Sequence, residues 1–197
     1  MPDEKKKGLF TLAAVDKMRE FFIKNANAGP DERLDCITTM NAALRLLLNR
    51  PRHPVGNAVD KTMNSLQRTG RAAGPRIIEF LDESGQITIG IKPPVKLSKS
   101  ILAVMLEMAD NEIGWSVFAL SIMDGYHSVT LTLDNNDPKK PRAFWSDQWS
   151  KRGGWEEFDQ EGLDKEITRH TIRWWDDFEP AKKPHTRSTL WRIIPQD

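Results

Sequence analysis

Cysteine is nearly missing from this chain: Cys36 is the only one in 197 residues. That excludes an internal disulfide, so folding needs no oxidising compartment, and it excludes a cysteine-built structural zinc site. The four histidines, His53, His127, His170 and His185, offer no zinc spacing either. No Walker or dinucleotide-binding glycine pattern occurs, so neither a metal nor a cofactor is expected. Long apolar runs are absent too. None approaches the ~18 residues that would suggest a membrane-spanning helix. Excess charge of one sign is missing: the net charge is +1, which predicts no strong attraction to nucleic acid or to a membrane surface. The start, Met1 to Lys7, is charged, and Leu9 to Ile23 behind it is interrupted by Asp16, Lys17, Arg19 and Glu20. A signal peptide is therefore not expected, which points to a cytoplasmic chain or to export or injection by a signal-independent route. There is no internal repeat and no low-complexity segment.

What is there suits one globular domain, 1–197, with enough apolar residues, 39%, to bury a sizeable core. Residues 1–30 read as a lead-in and first helix, 31–149 as the main body, and 150–197 as a C-terminal helix and final strand. Leu9 to Asn25 has helical spacing, with Leu12, Val15, Met18 and Phe22 inward. A second helix runs from about Asp35 to Asn49 and is closed by Pro51; a third spans about 55–69. Seven basic residues between Arg45 and Arg76 face Asp60 alone, which reads as a solvated face or a surface for an anionic partner. Arg76 to Leu81 and Gln86 to Ile91 alternate as short strands joined at Ser84-Gly85. Ser98 to Asp110 is helical, with Ser98 as N-cap. Then comes the strongest strand signal. Trp115 to Ile122 leads through Asp124-Gly125, a two-residue hairpin turn, into Tyr126 to Leu133, and Arg142 to Trp149 completes an antiparallel meander. Glu156, Glu157, Asp159 and Glu161 read as an acidic loop, Leu163 to Trp175 as a helix, and Thr189 to Ile194 as an edge or final strand.

Cys36 opens the second helix, where backbone N–H groups are free and the helix dipole favours negative charge. Both lower a thiol's pKa and could serve a developing oxyanion. A lone cysteine is as readily a small buried hydrophobe, so a catalytic reading needs a base. His127 is the best of the four histidines, because it begins a central strand beside a tight turn. If Asp134 lies opposite Arg142 across the meander, Val129 faces Asp147 and His127 faces Trp149. That register puts Asp147 on the face of His127 at a diagonal position within reach, whereas Asp134 points to the other face far along the strand. A one-residue slip would bring Ser146 or Gln148 there instead. Trp149 and Trp155 are the tryptophans expected to wall a substrate groove.

A cysteine opening a helix, a histidine heading an antiparallel strand and a polar residue on the next strand resemble the papain-like order. Asp35-Cys36 is similar to the Asp-Cys-Ser start of NlpC/P60 peptidases and amidases, and Tyr126-His127-Ser128-Val129 to their histidine strand. The chain departs from that pattern at Ile37-Thr38, where those proteins usually have Ser-Gly. The resemblance implies an α+β papain-like fold, N-terminal helices packed on an antiparallel meander, and cysteine-dependent hydrolysis of amide bonds, with no metal. Cys36 would attack, His127 would move the proton and Asp147 would orient the imidazole. The Cys36 N–H is the expected oxyanion donor, with Asn25 or Asn27 as a second by proximity in sequence only, and Gln148 and Trp149 as further oxyanion or substrate residues. Peptide or protein substrates follow, peptidoglycan peptides among them, with a cognate inhibitor or secretion apparatus as partners of an effector or toxin. Transglutaminase-like and deamidase enzymes share the Cys, His, Asp order. A non-catalytic interaction module, with Cys36 buried and inert, is the reading from another class.

Overall fold

The β-branched and aromatic run Trp115–Ile122 (β5) and its partner His127–Asp134 (β6) lie in the middle of the protein, and every residue of β6 is buried. They belong to a computed structural model that describes residues 7–49, 66–88, 96–149, 153–175 and 187–195. The other elements are α1 (Leu12–Ala26), α2 (Cys36–Leu47), β1 (Ala72–Ile78), β2 (Phe80–Leu81), β3 (Ile87–Thr88) and β4 (Lys96–Leu97). After these come α3 (Ile101–Met108), β7 (Arg142–Ser146), β8 (Glu156–Phe158), α4 (Gln160–Trp175) and β9 (Ser188–Ile193). The fold is α+β. A six-stranded antiparallel sheet has the order β1-β9-β5-β6-β7-β8, and β3-β2-β4 form a small separate sheet.

Strand alternation divides the core between the two faces of the large sheet. On one face Val117, Ala119, Trp191 and Ile193 pack with Val15, Met18 and Phe22 of α1 and Met40, Ala43, Leu44 and Leu47 of α2. On the other, Phe118, Leu120, Val129, Leu131 and Trp145 pack with Ile101 and Met105 of α3 and Leu163 and Ile167 of α4. The result is a helix layer on each side of the sheet. The meander register matches the expectation: Asp134 pairs with Arg142, Leu131 with Trp145 and Thr130 with Ser146.

Several expectations are corrected. Leu12 is 54% exposed, because the chain enters α1 there from a short bridge to β5. Four residues, 123–126, join β5 to β6, not a two-residue turn. Met123, Asp124 and Gly125 all take positive φ, so Tyr126 belongs to the loop and His127 starts the strand. Ser100, not Ser98, caps α3, and the Ile101 N–H is taken by Asp164 of α4. Residues 76–81 divide between two sheets. The acidic segment forms β8, an edge strand whose Glu157 faces Arg142. β9 is inserted between β1 and β5 and is no edge, since its Leu190 and Ile193 fill both core layers. Most of the expected third helix and much of the basic stretch lie outside the described residues; Arg76 pairs with Glu107.

Candidate active site

The residue just before Cys36 shapes its helix. Asp35 is the N-cap of α2, its carboxylate accepting the Thr38 N–H at 2.7 Å, which makes Cys36 the first helical residue. The Thr39 N–H closes on the Asp35 carbonyl, and the N–H groups of Cys36 and Ile37, in the first turn, have no partner among the described residues. Asn25 anchors this entry from α1: its amide nitrogen donates to Thr39 Oγ1 at 3.1 Å, and its oxygen accepts the Leu34 N–H at 3.1 Å. With both ends occupied, Asn25 is structural. Asn27 does not serve the site either, because its side-chain amide donates to the Ile23 carbonyl at the end of α1.

His127 is brought to Cys36 by the packing of α2 on the even-numbered side of β6. By alternation Ser128, Thr130 and Thr132 face α2, while His127, Val129 and Leu131 face α4. Because His127 is the first residue of β6, its ring stands at the open end of the strand, where the two layers meet. There it comes close enough to Cys36 to act on its thiol, as does Ser128. The cysteine is half-buried rather than sealed in the core. Its burial pushes the thiol up, but His127 and Ser128 together outweigh that and hold it below its ordinary value.

Asp147 stands just past the end of β7, buried, with its Oδ2 2.9 Å from His127 Nε2. The Trp145 indole N–H donates to the same oxygen at 3.0 Å, and the Trp149 N–H donates to Oδ1 at 2.8 Å. Burial alone would push this carboxyl up; the three donors and the histidine charge bring it below the ordinary range. An ionised carboxylate only accepts, so His127 Nε2 carries the proton and Nδ1 is left for the sulfur. Burial opposes a charged His127, but bonds to Asp147 and Cys36 and their charges push it up to about 9. Both shifts run in the direction of a thiolate–imidazolium pair.

Sequence reasoning passed over what lies behind the imidazole. His170 of α4 stacks on His127, ring centres 5.0 Å apart and planes 14° from parallel, and Trp145 stacks on His170 at 5.1 Å and 18°. Trp174 stands 6.2 Å from His127 and packs on Tyr126. The signal was there in α4: Leu163, Ile167, His170 and Trp174 recur at helical spacing along one stripe. Of the tryptophans expected as walls, Trp149 is 53% exposed beside the triad, whereas Trp155 stacks on Phe144 across the sheet. Gln148 is buried with its Oε1 unbonded, and no hydrogen bond joins it to Cys36 or His127 among the described residues.

His127, Asp147 and His170 each bring a ligand atom within 4.8 Å of the others. The near-parallel imidazoles send their in-plane lone pairs along separate planes, so the cluster is a stack and not a convergent metal cage. No described helix is long and apolar enough to cross a membrane. Comparisons with protein-family models, with curated proteins and with solved structures give no match, so the functional reading rests on this geometry.

Proposed function

We propose that this protein is a cysteine-dependent hydrolase of amide bonds, of papain-like arrangement and nearest in kind to the NlpC/P60 peptidases and amidases. The observation that carries the reading is His127 bonded on one side to Asp147 and standing on the other beside Cys36, at a helix N-terminus. In this reaction the Cys36 thiolate attacks the carbonyl carbon, and the free N–H groups of Cys36 and Ile37 receive the developing oxyanion. The proton on His127 Nδ1 passes to the leaving amine, and a thioester forms on Cys36. His127, now neutral, takes a proton from water as that water attacks the thioester, which releases the acid and restores the thiolate. Asp147 keeps its charge throughout and holds the ring in the Nε2–H tautomer.

Peptides or protein segments are the proposed substrates, peptidoglycan peptides among them. The half-exposed Trp149 offers an apolar wall at the mouth of the site. The acyl acceptor, water or an amine, is what separates hydrolysis from transglutaminase-like transfer, and product analysis with and without an added primary amine distinguishes them. The test of the nucleophile is mass spectrometry after brief iodoacetamide treatment at neutral pH, followed by turnover of peptide amides. Stoichiometric labelling of Cys36 and loss of turnover in a folded Cys36→Ala variant are expected. An unlabelled Cys36 in the folded protein, or retained turnover in Cys36→Ala, would return the chain to the class of interaction modules.

A further inference from the structure

His170 is nearly sealed from solvent, at 3% exposure, yet the proposed chemistry assigns it nothing. Its ring stacks on two partners, Trp145 at 5.1 Å and His127 at 5.0 Å, both close to parallel with it. The edge is held as well. His170 Nε2 is 3.0 Å from Glu166 Oε1 and 3.1 Å from Arg169 Nη2, and Arg169 bonds Glu166 in turn. Nδ1 is buried with no partner among the described residues. Trp145, besides stacking on His170, donates to the Asp147 carboxylate that orients His127. One aromatic stack thus touches both members of the imidazole–carboxylate pair.

The charges around this ring all bear on whether it can take a proton. Glu166 from its own helix favours one, as does Asp147 from the end of β7. His127 from β6 and Arg169 from its own helix oppose it, and Glu156 of β8 acts on Arg169. Cys36 of α2 stands outside the 4.8 Å cluster formed by His127, Asp147 and His170, and it reaches His170 through His127. Burial is the strongest influence and, with the two cations, holds His170 below its ordinary value. A neutral ring presents its electron-rich face to the imidazolium, whereas a protonated one sets a second cation against it.

We propose that His170 is a positioning residue for His127: as a neutral ring it supports the imidazolium face-on, and its protonation in acid breaks up the Cys36–His127 ion pair. The added cation repels the nearer imidazolium more than it attracts the sulfur beyond, which returns the proton from Nδ1 to the thiolate. The inference rests on the thiolate–imidazolium site described above. It adds an acid limit to that site, set by a residue that never meets substrate.

The test uses the full chain and two variants, His170→Phe, a flat ring that cannot be protonated, and His170→Gln, which removes the ring as well as the charge. Cys36 alkylation by iodoacetamide is followed between about pH 4 and about pH 9, and the His127 ring is titrated by NMR in ring-labelled protein. Wild type should lose thiolate in acid with a one-proton slope, because the proton taken up by His170 sends the one on His127 to the sulfur. His170→Phe should keep its neutral-pH rate within about twofold and lose thiolate only at lower pH. His170→Gln should lower the neutral-pH rate by about 3- to 10-fold and bring the His127 titration down, as expected for the loss of a cation–aromatic contact. A role in folding alone would lower the melting temperature of both variants and leave the pH of thiolate loss and the His127 titration unmoved; that result overturns the proposal. The NMR arm keeps the two readings apart. If Cys36 ionises only at its ordinary thiol value, the nucleophile reading fails, while a fall in the His127 titration in His170→Gln still supports the stacking role and an unmoved one ends it.

Discussion

The two ends of the β6–β7 ladder each hold a buried aspartate, and they put it to different use. At one end Asp134 sits opposite Arg142, whose guanidinium is half exposed, and the Asn136 backbone and side chain complete its shell. At the other end Asp147 meets His127, and both side chains are only 2% exposed. Both carboxyls are pushed up by burial and brought back below the ordinary range by their partners. The difference is in what the partner can do. Arg142 cannot give up its proton, so the Asp134 end closes a loop and nothing more. An imidazole can, and its second nitrogen is left for the Cys36 sulfur.

The largest expected effect is catalytic and one-sided. Asp147→Ala should lower turnover by ~10²–10⁴-fold with folding intact, because the nucleophile and the first-turn N–H donors stay while the ring loses its tautomer and orientation. Asp134→Ala should leave turnover within about twofold, as expected of a site remote from the chemistry. Equal losses in a peptide-amide assay would mean that the comparison is wrong, and Gln148→Ala would then be the next variant to measure.

A second expected difference is in the pH dependence of stability. Between the unfolded histidine value of 6.5 and about 9, the raised His127 adds to the folded chain's proton count and the lowered Cys36 subtracts from it, so their effects on the pH dependence of stability offset each other. Cys36→Ala removes that offset. His127, raised by Asp147, then contributes stability that is full below 6.5 and is lost as pH rises toward its folded value. Melting temperatures of wild type and Cys36→Ala across this range should diverge steadily on the alkaline side; parallel curves would contradict that offset. The Asp134–Arg142 pair adds no slope in this range. Its contribution is present above the unfolded carboxyl value of 3.8 and is lost as pH falls through the lower folded value.

Smaller effects belong to the structural end and the helix entry. Asp134→Ala should cost ~1–3 kcal/mol of stability by removing its charge-assisted hydrogen bonds to Arg142 and Asn136, read by denaturant unfolding. Asp35→Ala should cost ~1 kcal/mol through the lost N-cap and, by loosening the first turn, slow Cys36 alkylation modestly. A destabilisation by Asp35→Ala greater than that of Asp134→Ala would reverse this ranking.

How much of this could be read beforehand differs from element to element. Alternation along 115–122 and 127–133 specified the central strands, and pairing Asp134 with Arg142 across their loop was enough to select Asp147 over its neighbours. Helical spacing behind Cys36 placed it at a first turn. Short elements were less legible: β8 was concealed in an acidic run, because an edge strand needs only one apolar face. The place of β9 was also beyond reach, since its pattern fits a central or an edge position equally. His170 was passed over because its partners, Trp145 on β7 and His127 on β6, are neighbours only after α4 lies across the sheet.

The sequence by itself determined the local facts: a thiol at a helix N-terminus, an imidazole at a strand start, and a carboxylate two residues along the facing strand from the histidine's cross-strand position. Those depend on period and register, which are properties of short segments. Only the tertiary structure decided that Cys36, from the α2 layer, and His127, from the face that meets α4, come together at the open end of β6. It also decided the ionisation of the site, because burial, neighbouring charge and the stacked rings act through space, between residues that the chain holds far apart.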